Sequence, residues 1–239
     1  MRQLDVEQIL AEADPEYSLL QRHAKDVLHD LEDELHYHYC PRTPKETFHR
    51  ILFNAIPDYL ACIFAVTAEI EGKTILDIGC GTTDSATYEG KTFRTRDSNT
   101  YAPWLSRVLN YLGANTIGVD VGINANEPFT FRQANFMTES LPLLPNEQPD
   151  IALCFNVISS PELDLRYRHL LGSSFPDIAH AQLLSKLECV MPNGLFIHNR
   201  KESLDALKKQ EARGLEYHLS DCENCKPQGF LEKTRALFR

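Results

Sequence analysis

The stretch TILDIGCG at residues 74–81 decides how this chain is interpreted. An apolar run interrupted by Asp77 is typical of a short strand buried within a sheet. Gly79 and Gly81 follow at once, and glycine allows a sharp turn whose backbone can come close to a ligand. The stretch therefore predicts a strand that ends at a ligand-binding turn.

A dinucleotide site is the first alternative for such a turn. Its fingerprint requires a third glycine and an acidic residue about 20 positions further on. Here Gly81 is followed by TTD, and the next strand that ends in an acid, residues 116–120, places Asp120 41 positions after Gly79. This spacing fits a loop insertion better than a tight dinucleotide-binding unit.

The rest of the chain alternates strand and helix patterns. Apolar strand patterns are found at residues 73–78, 116–120, 129–134, 151–158 and 195–198, and helical patterns at 104–112, 178–190 and 202–212. Residues 216–219 and 230–238 can pair as a final hairpin. The alternation predicts an α/β fold with an open, mostly parallel sheet.

Residues 1–70 have a different pattern. Apolar side chains recur there at helical spacing, first around residues 20–35 and again around 48–56, with Pro57 expected to end or kink the second helix. No strand pattern is evident. We therefore predict two domains, with a helical cap at 1–70 and the sheet domain at 71–239.

Taken in order, these features resemble the class I methyltransferases that depend on S-adenosyl-L-methionine (SAM). The acid inside the strand, the G-x-G turn, the second strand ending in Asp120 and the PNG turn at 192–194 before the last strand carry the resemblance. It covers about residues 70–239. It implies a seven-stranded Rossmann-like sheet, SAM as cofactor and methyl transfer as the activity.

The resemblance also implies roles for individual residues. Gly79, Cys80 and Gly81 would line the amino-acid end of SAM, Asp77 would assist its ammonium group, and Asp120 would accept hydrogen bonds from both ribose hydroxyls. The remaining cofactor-binding candidates follow the second, third and fourth strands. They are Val121, Asn135, Phe136, Phe155 and Asn156.

The acceptor and the catalytic residue are not identified by the sequence. The run NVISSP at 156–161 lacks the Asp/Asn-Pro-Pro-aromatic motif of amino-methyltransferases and the Pro-Cys of cytosine enzymes. His169, His180 and His198 are candidate bases only by residue type. Residues 83–99 form a polar insertion that is either a surface loop or a lid over the site.

Bulk properties narrow the partners. The chain has 239 residues and a formal net charge of −10, which favours a small-molecule or protein acceptor over nucleic acid. No secretory signal or membrane span is evident. The seven cysteines include one CxxC, at 222–225, without a second pair at zinc-finger spacing, so we expect a reduced, cytoplasmic protein.

Metal sites are not expected from the sequence, neither at His36 and His38 nor at Cys222 and Cys225. Two other functions stay open. One is a non-catalytic protein that keeps the SAM fold to bind a partner, and the other is a nucleotide-dependent oxidoreductase.

Overall fold

The computed structural model describes residues 1–6, 8–9, 16–83, 86–88, 91–93, 102–155, 157–158 and 175–198. Its strands are β1 (Arg2–Asp5), β2 (Thr74–Ile78), β3 (Ala86–Tyr88), β4 (Lys91–Phe93), β5 (Asn115–Asp120), β6 (Thr130–Gln133), β7 (Ile151–Cys154) and β8 (Leu195–His198). Its helices are α1 (Tyr17–Tyr39), α2 (Lys45–Val66), α3 (Trp104–Tyr111) and α4 (Phe175–Val190).

Six strands form one open sheet in the order β1-β8-β7-β2-β5-β6, and every pair in it is parallel. β3 and β4 form a separate antiparallel pair. The predicted α/β class and the parallel sheet are confirmed. The predicted count of seven strands is wrong for the described part of the chain, which has six in this sheet; the proposed hairpin at 216–238 lies outside it.

The N terminus provides the strand that sequence patterns missed. β1 pairs with β8, with Leu4 opposite Ile197 and Asp5 opposite His198. The interpretation of residues 1–70 as entirely helical is therefore wrong at its start. β1 is only four residues long, and sheet pairing rather than an alternating pattern of its own determines its conformation.

The two faces of the sheet have separate cores. In β2, Ile75 belongs to a core shared with α1, α2 and α3, whereas Leu76 and Ile78 pack with α4 on the other face. This alternation follows from the two-residue period of a strand. The first core joins residues before position 70 to sheet residues, so the helices of the N-terminal segment pack directly on the sheet.

Pro57 lies inside α2 and does not end it. The helix continues to Val66, and Pro57 is itself buried. Proline removes one backbone donor from a helix interior. Here the buried face on both sides of it, including Leu52, Leu60 and Ile63, holds the helix together through packing.

Candidate functional site

The G-x-G turn lies at the point where the strand order reverses. From β2 the chain adds β5 and β6 on one side, while β7 and β8 lie on the other. Ligands of open α/β sheets bind outside the carboxyl ends of the strands at such a point. The turn after Ile78 and the Asp120 carboxylate both lie at that edge, because Ile78 is paired with Val119.

Asp120 bonds directly to the turn. Its Oδ2 accepts a hydrogen bond from the Gly81 amide at 3.0 Å, and its Oδ1 accepts one from the Gly122 amide at 2.9 Å. Two residues predicted from sequence to share a site are thus brought together. A carboxylate has about four lone-pair positions, so each of its oxygens can accept more than one hydrogen bond.

The backbone of the turn requires glycine. Gly79 has φ of +70° and Gly81 has φ of +100°, a region that other residues rarely adopt. The amides of Gly79 and Cys80 donate to the Val119 carbonyl at 2.7 and 3.3 Å. The amides of Gly79, Cys80 and Gly81 are thus bonded within the protein, and these bonds hold the turn against the end of β5.

A second set of bonds ties the loop after β5 to the loop after β2. The Asn124 side chain accepts from the Thr83 amide at 2.8 Å and donates to the Gly81 carbonyl at 2.7 Å. The Thr82 hydroxyl donates to the Ile123 carbonyl at 3.0 Å. Sequence reasoning did not select Asn124, because its partners Thr83 and Gly81 lie 41 and 43 positions away in the chain.

Asp77 is a buried acid in mid-sheet. It is 4% exposed, and its Oδ2 accepts a hydrogen bond from the Ser106 hydroxyl of α3 at 2.6 Å. Burial raises the pKa of Asp77 to about 6, Ser106 opposes the rise, and Asp120 adds to it. A buried carboxyl with a perturbed pKa beside a strand-end turn is typical of a functional site.

Cys80 is buried next to the same carboxylates. Burial, together with the charges of Asp120 and Asp77, raises the pKa of its thiol well above the usual range. Such a thiol is unreactive as a nucleophile. The geometry supports Cys80 as a packing residue of the turn.

Asn135 and Phe136 follow β6, as predicted. Asn135 is fully buried, and its side-chain oxygen accepts from the Met137 amide at 3.0 Å. Phe136 is buried in the core beneath α4. Both side chains thus have structural partners at the positions proposed for the adenine pocket, whereas Val121, next to Asp120, is half-buried.

The end of β7 brings two side chains to the central edge. Phe155 stacks on Tyr59 of α2, with ring centroids 4.3 Å apart and planes at 4°. Val157 lies over the turn, so that a Cβ built on Gly79 would be 2.1 Å from its Cγ2. Asn156, between them, lies outside the described residues, as does His169.

A polar pair that the sequence did not reveal lies at the far end of this edge. His198 ends β8, and its Nδ1 is 3.5 Å from Oδ2 of Asp5, the last residue of β1. His180 of α4 lies with its ring centroid 4.3 Å from that of His198. Two of the three candidate bases are therefore adjacent, and both are buried.

A cavity of about 430 Å³ lies at the opposite edge, lined by residues such as Thr74, Asn115 and Thr130 at the amino ends of their strands. The predicted site lies at the carboxyl ends of the strands, so this cavity is not part of it. Nor does any described helix have the length and apolar character needed to cross a membrane.

A scan against protein-family models finds no match for this chain. A search of curated proteins likewise finds no similar sequence.

Proposed function

We propose that this protein is a SAM-dependent methyltransferase of the Rossmann-like class. The observation that supports the proposal best is the bonding of Asp120 to Gly81 at the strand-order reversal. It joins an acceptor for ribose hydroxyls to the glycine turn at the end of β2. Ribose recognition by a strand-end acid next to a glycine turn is the chemistry that the site favours.

Asp120 would bind the ribose hydroxyls through its carboxylate oxygens. Its bonds to the Gly81 and Gly122 amides fix the carboxylate before a ligand arrives. A carboxylate accepts from two hydroxyls at once, and charge-assisted bonds of this kind are stronger than neutral ones. Preorganisation lowers the entropy lost when the ligand binds.

Asp77 would interact with the ammonium group of the cofactor. A buried carboxyl is destabilised in its ionised form, and a nearby cation favours that form. SAM binding would therefore convert an unfavourable buried charge into an ion pair. Methyl transfer from a sulfonium then needs alignment and exclusion of water more than it needs a side-chain nucleophile.

The acceptor that fits best is a small molecule or a protein. The net charge of −10 gives little attraction for phosphates. Val157 lies against Gly79, so the acceptor and the cofactor would reach the turn only after this side chain moves.

Binding of S-adenosylhomocysteine, measured by calorimetry, tests the proposal. Asp120→Ala should weaken binding roughly tenfold or more for each bond of about 1.5–3 kcal/mol that it removes. Asp150→Ala is the matched control, because Asp150 also accepts from a backbone amide, that of Thr74 at 2.9 Å, but at the amino edge. No heat of binding in the unmodified protein would overturn the proposal.

Retention of tritiated SAM and of NAD on the purified protein separates the alternatives. SAM retention with NAD excluded supports the methyltransferase, and the reverse supports the oxidoreductase. Turnover of SAM with pools of metabolites or proteins then separates the enzyme from a protein that keeps the fold only to bind partners.

A further inference from the structure

Three side chains that can ligate a metal converge on the first two helices, away from the strand-end site. His29 and Glu32 lie three positions apart on α1, so they share one helix face, and His49 faces them from α2. Nδ1 of His29 is 3.6 Å from Oε2 of Glu32, and Nδ1 of His49 is 3.0 Å from Oε1 of the same glutamate. One ligand atom from each residue lies within 4.8 Å of the other two.

The cluster is held in place by its surroundings. Glu32 is 7% exposed, which fixes the carboxylate at the helix interface. Both imidazoles pack on Phe53, with centroids 4.6 Å from His29 and 4.3 Å from His49. The two histidines are partly accessible, so an ion can reach the cluster from solvent.

We propose that His29, Glu32 and His49 form a zinc-binding site that links α1 to α2. Two imidazoles and one carboxylate are a common ligand set for Zn²⁺, with metal–ligand distances of about 2.0–2.2 Å. Tetrahedral geometry at these distances separates neighbouring ligand atoms by about 3.3 Å. The separations of 3.6 and 3.0 Å are near that value and are measured to the two different oxygens of Glu32. A bound ion would replace the hydrogen bond between His49 and Glu32 and draw one carboxylate oxygen toward both imidazoles.

The ligand types favour zinc over magnesium or calcium, which prefer oxygen ligands. The solvent side leaves the fourth position to water. Residues 40–44 connect the two helices, which also share side-chain bonds such as that from Tyr17 to Asp58, so a shared ion would add a further link between them. This inference does not depend on the proposed methyltransferase activity.

The control for this site is present on the same helix. His38 lies 3.9 Å from Glu34 in an exposed pair of one histidine and one carboxylate, and the described residues provide no third ligand beside them. His38→Ala removes a helical histidine beside a glutamate but leaves the cluster intact. His36 is unsuitable as a control because its Nε2 is bonded to the Thr43 carbonyl at 2.7 Å.

The experiment uses the full chain after treatment with chelator, carrying Cys189→Ser, Cys222→Ser and Cys225→Ser so that none of these sulfurs contributes to zinc binding. Calorimetry with ZnCl₂ should show one ion per chain. His29→Ala and His49→Ala should each weaken binding at least tenfold, whereas His38→Ala should leave it unchanged. Zn²⁺ should also raise the melting temperature of the parent protein, but not that of the His49→Ala variant.

Cobalt provides a second measurement in the same proteins. Bound Co²⁺ should give weak visible bands without thiolate charge transfer, and His49→Ala should abolish them. Circular dichroism checks that each variant is folded. If His49→Ala is not folded, His49→Gln takes its place. The inference is overturned if the parent binds no zinc, or if His29→Ala and His49→Ala bind it as tightly as His38→Ala does.

Discussion

The Ser106 hydroxyl donates a hydrogen bond of 2.6 Å to the Asp77 carboxyl, and both side chains are buried between β2 and α3. This bond favours the ionised carboxylate, whereas burial disfavours it more strongly and raises the pKa of Asp77 to about 6. The acid is therefore placed where its charge destabilises the fold. Such a placement is a reason to expect a function for it.

Asp77→Asn should change how stability depends on pH. The folded pKa of about 6 exceeds the ordinary value of 3.8. Below about pH 4 the wild-type carboxyl therefore does not lower the free energy of unfolding. As pH rises toward 6, the unfolded chain releases the proton first and the free energy of unfolding falls. Two pKa units correspond to about 3 kcal/mol, and the loss is constant above the folded pKa.

Urea denaturation of wild type and Asp77→Asn between pH 4 and 8 checks this. The wild type should lose stability relative to the variant as pH rises from 4 to about 6, and the difference should then level off. Any constant effect of the amide cancels in this comparison. A difference independent of pH would contradict the buried charge.

The buried Arg107–Glu127 pair should be important for stability. Arg107 makes two bonds of 2.8 Å to Glu127, and both side chains are less than 5% exposed. Arg107 also lies over the rings of Tyr39 and Trp104. Glu127→Gln should lower the free energy of unfolding by about 3–5 kcal/mol, because it leaves a buried charge without its partner.

The exposed Lys45–Asp33 pair is the matched control in the same denaturation series. Asp33→Asn should leave the denaturation midpoint almost unchanged, since exposed pairs contribute little. If Glu127→Gln and Asp33→Asn shifted the midpoint equally, burial would not explain what the Arg107–Glu127 pair contributes to stability.

Gly79→Ala should be more destabilising than Gly72→Ala. Both glycines have nearly the same positive φ, +70° and +73°. A Cβ on Gly72 meets nothing within 4 Å, whereas one on Gly79 would overlap Val157. Backbone strain, about 1–2 kcal/mol, is common to both variants, and the excess at Gly79 measures the overlap.

Thermal unfolding of the two single variants and of Gly79→Ala with Val157→Ala tests this. Val157→Ala should recover part of the additional stability loss at Gly79. It should not relieve the backbone strain that both glycine variants share. Equal losses at both glycines would mean that Val157 does not pack on the turn.

A chain that begins near Ile70 should not fold independently. It lacks β1, which covers the edge of β8, and the buried faces of α1 and α2 that share a core with Ile75 and Ile151. Removal of these elements exposes apolar surface and an unpaired strand edge. Gel filtration and circular dichroism of this fragment should show aggregation or loss of structure, and a folded monomer would contradict the shared core.

The sequence predicted those parts of the fold that depend on local pattern. The apolar run at β7 and the strand before Gly79 are recognisable because parallel strands are buried on both faces. β1 was missed because pairing with β8 determines it, and Ser106 and Asn124 were missed because their partners lie 29 and 43 positions away. The convergence of His29, Glu32 and His49 likewise requires the packing of α1 on α2.

Asn124→Ala should weaken SAM binding without unfolding the protein. Its side chain bridges the Thr83 amide and the Gly81 carbonyl, so it holds the loop after β5 against the G-x-G turn. Loss of the bridge would let the Asp120 carboxylate and the turn move relative to each other, and affinity for S-adenosylhomocysteine should fall several-fold. The stability loss should be about 1 kcal/mol for each bond removed.

Asn115→Ala is the control for this substitution. Asn115 begins β5, and its side chain donates to the Gly72 carbonyl at 3.2 Å, at the end of the strand away from the site. Calorimetry with S-adenosylhomocysteine and urea denaturation should be carried out on both variants. The Asn115 variant should bind as the wild type does, whereas the Asn124 variant should not. If binding falls equally in both, general destabilisation explains the effect; if it falls in neither, the bridge between the loops has no part in forming the site.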